Sequence, residues 1–378
     1  MTDQPVTFTG GPIFDGQKLR TNMAARFAGG ALQALVPEAE VGADETVVDL
    51  SGDILSPGYV DLQVNGGGGV MFNDDPSART LARIASAHRA LGTTSILPTL
   101  ITDTAEKTRA AIDAAIEAVK AGVPGVAGLH LEGPHLSEAR KGAHDAKLIR
   151  PMDEEDLAFI LMAAQTLPAL MVTVAPENVT TPQIQAMAEA GVIVSLGHTD
   201  ASFDTCMACV KAGARCATHL FNAMSQLGSR EPGLVGAVLS NGLMSAGLIA
   251  DAVHVHPETI RAAWTAKQGP GQIFLVSDAM AVAGTGLSEF RLEGRLIRRE
   301  NGRLTLQDGT LAGADLDLTQ AVRVLTEKVG VPMPEALAAA TSVPAALISK
   351  DKNAPLQKLS QTIRIASDLS GARAVAEG

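Results

Sequence analysis

Apolar and polar positions along this chain change their period once. Up to about Leu50, short alternating runs at Val6–Thr9, Ala25–Ala28 and Thr46–Leu50 stand between Gly-Gly and Asp-Gly turn signals and predict a small antiparallel β unit. After Ser56-Pro57-Gly58 the grammar becomes apolar strand, polar turn, amphipathic helix, repeated many times. The predicted strands are Tyr59–Val64, Thr94–Leu97, Val126–Leu131, Leu170–Val174, Val192–Leu196, Ala217–Leu220, Ser245–Ala250 and Ile273–Val276. Helices are predicted near Ala78–Leu91, Ala105–Ala121, Glu154–Thr166, Pro182–Ala190, Ala201–Ala212 and Pro257–Lys267. Eight strands with helices in most of the gaps predict an α/β fold of the (β/α)8 barrel type rather than an open doubly wound sheet. No Gly-x-Gly-x-x-Gly opens a helix after the first strand, which argues against a dinucleotide site.

Beyond the eighth strand, Phe290-Arg291-Leu292 against Leu304-Thr305-Leu306 predicts a hairpin with Asn301 and Gly302 in its turn. Helices resume at Leu318–Val329 and Pro334–Ile348, and the tail holds Thr362–Ile365 with little other period. The tail is expected to rejoin the N-terminal β unit. The implied division is a small domain, 1–55 with 347–378, and a barrel, 56–346, carrying the hairpin insertion at about 287–310.

The strand ends bring in chemistry. Leu129–Leu136 places Glu132 directly after an apolar run, and Gly133-Pro134 stops the strand just past the charge. Such a carboxylate alone is as readily a salt bridge to a loop cation, and a single histidine is more often a satisfied core or loop residue. The set changes that balance, because later strands end the same way with His198, His219 and Asp278, and a closed barrel brings all four tips to one mouth. One carboxylate and two imidazoles make a three-ligand site for Zn²⁺ or a similar divalent ion, with a position left for water. A separate carboxylate, Asp278, then suits a proton shuttle.

Composition narrows the partners. The 378 residues are 46% hydrophobic, enough for a large core, and the net charge of −11 argues against nucleic acid or an acidic membrane surface. The Met-Thr-Asp-Gln start lacks a basic-then-apolar leader, no apolar run approaches a membrane span, and three cysteines make no disulfide framework, so a cytoplasmic protein is expected. Cys206 and Cys209 form a Cys-x-x-Cys inside a helical stretch and, with Cys216, are expected to be structural. Gly66–Gly69 fits either a phosphate cradle or a close backbone approach.

Several motifs resemble one family. Pro57-Gly58-Tyr59-Val60-Asp61-Leu62-Gln63-Val64-Asn65-Gly66, His130-Leu131-Glu132-Gly133-Pro134, Lys141-Gly142-Ala143-His144, Gly197-His198-Thr199-Asp200-Ala201, Thr218-His219-Leu220-Phe221-Asn222-Ala223-Met224, Arg230-Glu231-Pro232-Gly233 and Ser277-Asp278-Ala279-Met280 are similar to those of the N-acetylglucosamine-6-phosphate deacetylases, a branch of the amidohydrolase superfamily. The resemblance runs from about Asp49 to Ala346. It implies a metal-bearing barrel with a small β-sandwich domain, a homodimer, and hydrolysis of a 6-phosphorylated N-acetylhexosamine to the amine and acetate, in amino-sugar catabolism or cell-wall recycling. It implies one divalent ion, Zn before Fe, Mn or Co, held by Glu132, His198 and His219, with Asp278 as base and His144 polarising the acetamide carbonyl. Substrate contacts are implied at His254, Asn222, the Ala223 backbone N–H, Gln63 and Arg230, the last lent across the dimer interface to the phosphate.

This chain departs from wider amidohydrolase patterns in three places. Gln63-x-Asn65 stands where many members have His-x-His for a second metal, and amides are poor ligands, so a single-metal site is expected. His135 replaces an aromatic and is expected to line the entrance, and the tail lacks the Pro-Gly-x-x-Ala-Asp strand motif. Two rivals remain: another amidohydrolase reaction on a cyclic amide or a base, and a silent phosphosugar sensor. The first usually keeps the His pair and lacks Phe221-Asn222-Ala223-Met224; the second has little reason to keep both the ligand trio and Asp278.

Overall fold

Eight parallel strands curl into one barrel: β1 (Tyr59–Val64), β2 (Thr93–Ile101), β3 (Leu129–Glu132), β4 (Leu170–Val174), β5 (Ile193–Leu196), β6 (Cys216–Ala217), β7 (Ser245–Leu248) and β8 (Ile273–Leu275). This computed structural model describes residues 5–349 and 358–375; the parts of the expected small domain at 1–4, 350–357 and 376–378 lie outside the described residues. Each strand pairs with the next in sequence, and an isolated bridge from Val64 to Ala279 brings the last strand back toward the first. Every residue of β1, β3 and β4 is buried, as expected of strands covered on both faces.

The helices sit where capping residues start them. Ser77 accepts from the Thr80 N–H at the head of α1 (Ala78–Ala90), and Asp153 and Asp156 form a reciprocal box at the head of the third helix, Glu154–Thr166. The sequence reading missed one helix, Gly233–Ser240. Its first seven residues are all buried, so no polar face betrays its period. The predicted helix at 318–329 is α-helical only to Arg323 and then widens into a π turn ending at Gly330, and Thr341 divides the next into Met333–Ala340 and Ser342–Ile348.

The insertion differs from the expected hairpin. Phe290–Leu292 lies in β9 (Glu289–Leu292), which pairs with β10 (Arg295–Glu300) and not with 304–306. A meander continues through β11 (Arg303–Thr305) to β12 (Leu311–Ala314). Two tight turns with positive φ make it, Glu293-Gly294 (49° and 79°) and Asn301-Gly302 (53° and 70°). The charged run Arg298-Arg299-Glu300 hides the intervening strand's alternation.

In the N-terminal region, one sheet joins Ala31–Pro37, Met23–Ala28, Val6–Thr9 and Val47–Asp49, and a second joins Ala372–Ala374, Thr362–Ile365, Ile54–Pro57, Ile13–Phe14 and Leu19–Arg20. The two meet over a core of Phe8, Ile13, Ala25, Phe27, Leu50 and Leu55. Thr362–Ile365 pairs antiparallel with Ile54–Pro57, which runs straight on into β1.

Candidate metal centre at the barrel mouth

Glu132 ends β3, His198 follows β5 by two residues, His219 follows β6 by two, and Asp278 follows β8 by three. All four lie in the wall of one cavity of about 270 Å³, with His144, Asn65, Asn222, Ala223 and His254. Expected strand six, Ala217–Leu220, breaks off at Ala217 because the backbone turns left-handed at His219 (φ 34°). His198 (48°) and Asp278 (51°) share this conformation, which costs a non-glycine residue about 1–3 kcal/mol and collects at functional sites.

The three candidate ligands converge on one point. His198 Nε2 and His219 Nε2 lie 3.2 and 3.1 Å from Glu132 Oε1 and 3.0 Å from each other. His198 Nδ1 donates to the Arg140 carbonyl at 2.7 Å, which leaves Nε2 as the atom that faces Glu132 and His219. His219 Nδ1 is buried with no partner among the described residues. Nitrogen and oxygen lone pairs crowded this way repel one another unless a proton or a cation lies among them, and ligand atoms all within 4.8 Å of one another fit one divalent ion. Burial alone would raise the pKa of Glu132, but His198 and His219 hold it well below the usual range, and the same contact outweighs burial to raise His219. No Arg or Lys among the described residues bonds to Glu132.

Asp278 faces this group. Burial, then the charge of Glu132, push its carboxyl up to about 6. Its Oδ1 accepts from Asn65 Nδ2 at 2.7 Å and from Gln63 Nε2 at 3.2 Å, and that same Gln63 nitrogen lies 3.2–3.3 Å from both Glu132 oxygens. Gln63, expected at the substrate, therefore takes no part in the cavity wall; at 2% exposure it bridges two carboxylates from behind.

His144 is fixed by a neighbour that the sequence did not flag. The Thr102 backbone N–H donates to His144 Nδ1 at 3.3 Å and the Thr102 hydroxyl sits 2.8 Å from the same atom. A backbone N–H can only donate, so Nδ1 accepts and the proton of the neutral ring is on Nε2. Burial, with His198 alongside, drops the ring's pKa to about 3, so the ring is neutral and Nε2–H is a donor.

The other sequence candidates divide. His254 reaches the cavity with Nδ1 held by Asp251 Oδ2 at 2.6 Å, an Asp-x-x-His spacing that was visible in the chain. Asn222 and Ala223 line the wall, and Ala223 has φ 47°. Arg230 does not reach this chain's cavity and lies on the exposed stretch 226–230 beside Leu227, 59% exposed. His135 does not line the entrance either; it is 2% exposed, bonds the Arg150 carbonyl at 3.0 Å, and lies beside Asp156. Cys206, Cys209 and Cys216 are all buried and unpaired. Leu292, Thr310, Leu311 and Gly313 show that the insertion supplies one wall of the cavity, which its sequence alone did not reveal.

Below the mouth, a polar chain crosses the barrel. Ser195 Oγ lies 2.7 Å from Thr218 Oγ1, which lies 2.6 Å from Thr173 Oγ1, which lies 2.7 Å from His130 Nε2, while His130 Nδ1 lies 2.9 Å from the Leu62 carbonyl. The carbonyl can only accept, so Nδ1 carries the proton, and each hydroxyl in turn donates toward His130.

Comparison with known proteins places the chain in a family. The Amidohydrolase family matches residues 54–354. N-acetylgalactosamine-6-phosphate deacetylase of Shewanella sp. (strain ANA-3) is 43% identical over 82% of this chain and 78% of its own. N-acetylglucosamine-6-phosphate deacetylase of Haemophilus influenzae is 35% identical over 90% and 88%. Among solved structures, N-acetylglucosamine-6-phosphate deacetylase from Pasteurella multocida superposes with a TM-score of 0.91 at 32% identity over 97% of each chain. A mutant of the Mycobacterium smegmatis enzyme in complex with N-acetyl-D-glucosamine-6-phosphate gives 0.87 at 29% over 98% of each. The chain is thus matched in sequence as well as in shape, and it belongs to the amidohydrolase family.

Proposed function

We propose that this chain hydrolyses the acetamide of N-acetyl-D-glucosamine 6-phosphate to D-glucosamine 6-phosphate and acetate. The observation that carries the reading is the convergence of Glu132, His198 and His219 within one cavity that Asp278 and His144 also face. Glu132, His198 and His219 would hold a single divalent ion, with zinc the first choice for two imidazoles and a carboxylate. When bound, such an ion lowers the pKa of a water toward ~7 and polarises a carbonyl.

The protein's own groups do the rest. Asp278, ionised, takes a proton from the attacking water, whose oxygen bonds to the acetamide carbon. His144 donates its Nε2–H to the carbonyl oxygen as negative charge builds there. Asp278 then gives its proton to the sugar nitrogen as the C–N bond breaks, so that one water is consumed for one amine and one acetate. His254, Asn222 and the Ala223 N–H bind the sugar and its phosphate, and Arg230, exposed on this chain, reaches the phosphate of a partner subunit in a homodimer. Three buried, unpaired cysteines suit the reducing cytoplasm, where such a sugar arises from amino-sugar catabolism or cell-wall recycling.

The Shewanella relative supports a second reading, the C4 epimer as preferred substrate. Acetate release from the 6-phosphates of both epimers and from the unphosphorylated sugars, with metal content measured alongside, tests both. Equal turnover with and without phosphate removes the phosphate site, and no release from any of them removes the deacetylase reading in favour of a sensor.

A further inference from the structure

We propose that Gln63 and Asn65 are positioning residues for Asp278: their side-chain amides grip one carboxylate oxygen so that the other alone meets the reacting groups. This rests on the deacetylase reading. Asn65 Nδ2 and Gln63 Nε2 both donate to Asp278 Oδ1, at 2.7 and 3.2 Å, and no hydrogen bond among the described residues goes to Oδ2. A carboxylate can turn about two single bonds; two donors converging on one oxygen remove both freedoms and set the direction in which Oδ2 points.

The backbone closes the same loop. Asp278 N–H donates to the Gln63 carbonyl at 3.1 Å, Asn65 N–H to the Ala279 carbonyl at 2.9 Å, and Phe72 N–H to the Asn65 carbonyl at 3.0 Å. The tip of β1 therefore holds Asp278 by main chain and side chain together. Just below, Asp61 accepts from the Ser277 N–H at 3.2 Å, across the same seam between first and last strands. Neutral amides suit the task, since a lysine or arginine here would pair with the carboxylate that must accept a proton.

Asn65 also shows that its Nδ2 is the end that matters. Its Oδ1 is buried in the cavity wall with no partner among the described residues, an arrangement that costs stability and persists where the other end of the amide is needed. Gln63 does a second job, since its Nε2 touches both oxygens of Glu132 and so couples the shuttle to the metal ligand.

The test compares Asn65→Ala and Gln63→Met with the wild type, in the native and Asp278→Asn backgrounds. Turnover of N-acetyl-D-glucosamine 6-phosphate, thermal melting, and metal affinity of the stripped protein by chelator competition are measured. Asn65→Ala is expected to lower kcat by roughly 10²-fold, as misplacement of a catalytic group does, with KM and metal affinity held. Gln63→Met lowers kcat and weakens metal binding as well. Asn65→Ala does not slow the Asp278→Asn enzyme further, because the group it orients is already gone, and Gln63→Met adds no slowing there once metal is saturating. A wild-type kcat in Asn65→Ala, or an equal slowing in both backgrounds, overturns the proposal. Crystal structures of wild type and Asn65→Ala decide it without any substrate: Asp278 turned or split between rotamers supports it, and an unchanged rotamer refutes it. If the wild type releases no acetate, the deacetylase reading falls while these structures still judge the positioning.

Discussion

In the two-sheet region carboxylates meet guanidinium groups: Glu45 lies 2.6 Å from Arg26, and Asp53 2.6 Å from Arg364, all four side chains at 20–33% exposure. At the barrel mouth, Glu132 is buried and Asp278 half-buried, and among the described residues their carboxylates meet only imidazoles and amides. The first arrangement neutralises charges that water already screens, and contributes little to stability. The second leaves two carboxylates close together in the wall of one cavity, a costly state that makes sense where a cation is to be bound and a proton moved. The two-sheet region pairs its carboxylates with guanidinium groups, whereas the mouth is left short of positive charge for its chemistry.

Breaking the mouth should have the largest effects. Glu132→Gln removes the anionic ligand, so the protein should lose its metal and its turnover together; metal retained at full stoichiometry by elemental analysis would dismiss Glu132 as a ligand. Asp278→Asn should keep the metal but cost about 10²–10⁴-fold in kcat, the usual size of a general acid–base contribution, and more than a tenth of the rate remaining would exclude Asp278 as the shuttle. Asp278 works ionised, so kcat/KM should fall as pH drops through its pKa. Burial and Glu132 set that point at about 6 without the ion, and bound positive charge moves it lower. An acid limb above neutrality in the metal-loaded enzyme would contradict this assignment.

Smaller changes sharpen the contrast. Thr102→Val keeps the backbone N–H on His144 but deletes the hydroxyl, so kcat should fall about tenfold, close to the worth of one hydrogen bond, and Thr102→Ser should restore it. Arg364→Ala in the two-sheet region should cost about 1 kcal/mol in denaturant unfolding and leave kcat as it was. A loss of turnover there would show that the regions are coupled.

The four strand-tip residues were legible because they recur as a set at the ends of successive apolar runs, and the barrel follows from the repeat itself. The Asn65 and Thr102 contacts were not, since each arises from a neighbouring strand closing over a gap that no local pattern encodes. Left-handed backbone at His198, His219 and Asp278 is likewise invisible, because His and Asp adopt it more readily than most residues yet far too seldom for the residue type alone to mark it. Arg295–Glu300 was hidden by its charges and Gly233–Ser240 by its lack of any, two opposite failures of the same periodicity argument.

The one-way chain from Ser195 through Thr218, Thr173 and His130 to the Leu62 carbonyl carries a consequence for assembly. Five staves, the first and the third to sixth, each contribute a single polar group, and together they form a sentence that reads in one direction only. Slipping any stave by one residue would turn its word toward the helices and leave its neighbours mute. The chain of bonds thus favours one register beneath the rim, in the very strands that lead to Glu132, His198 and His219.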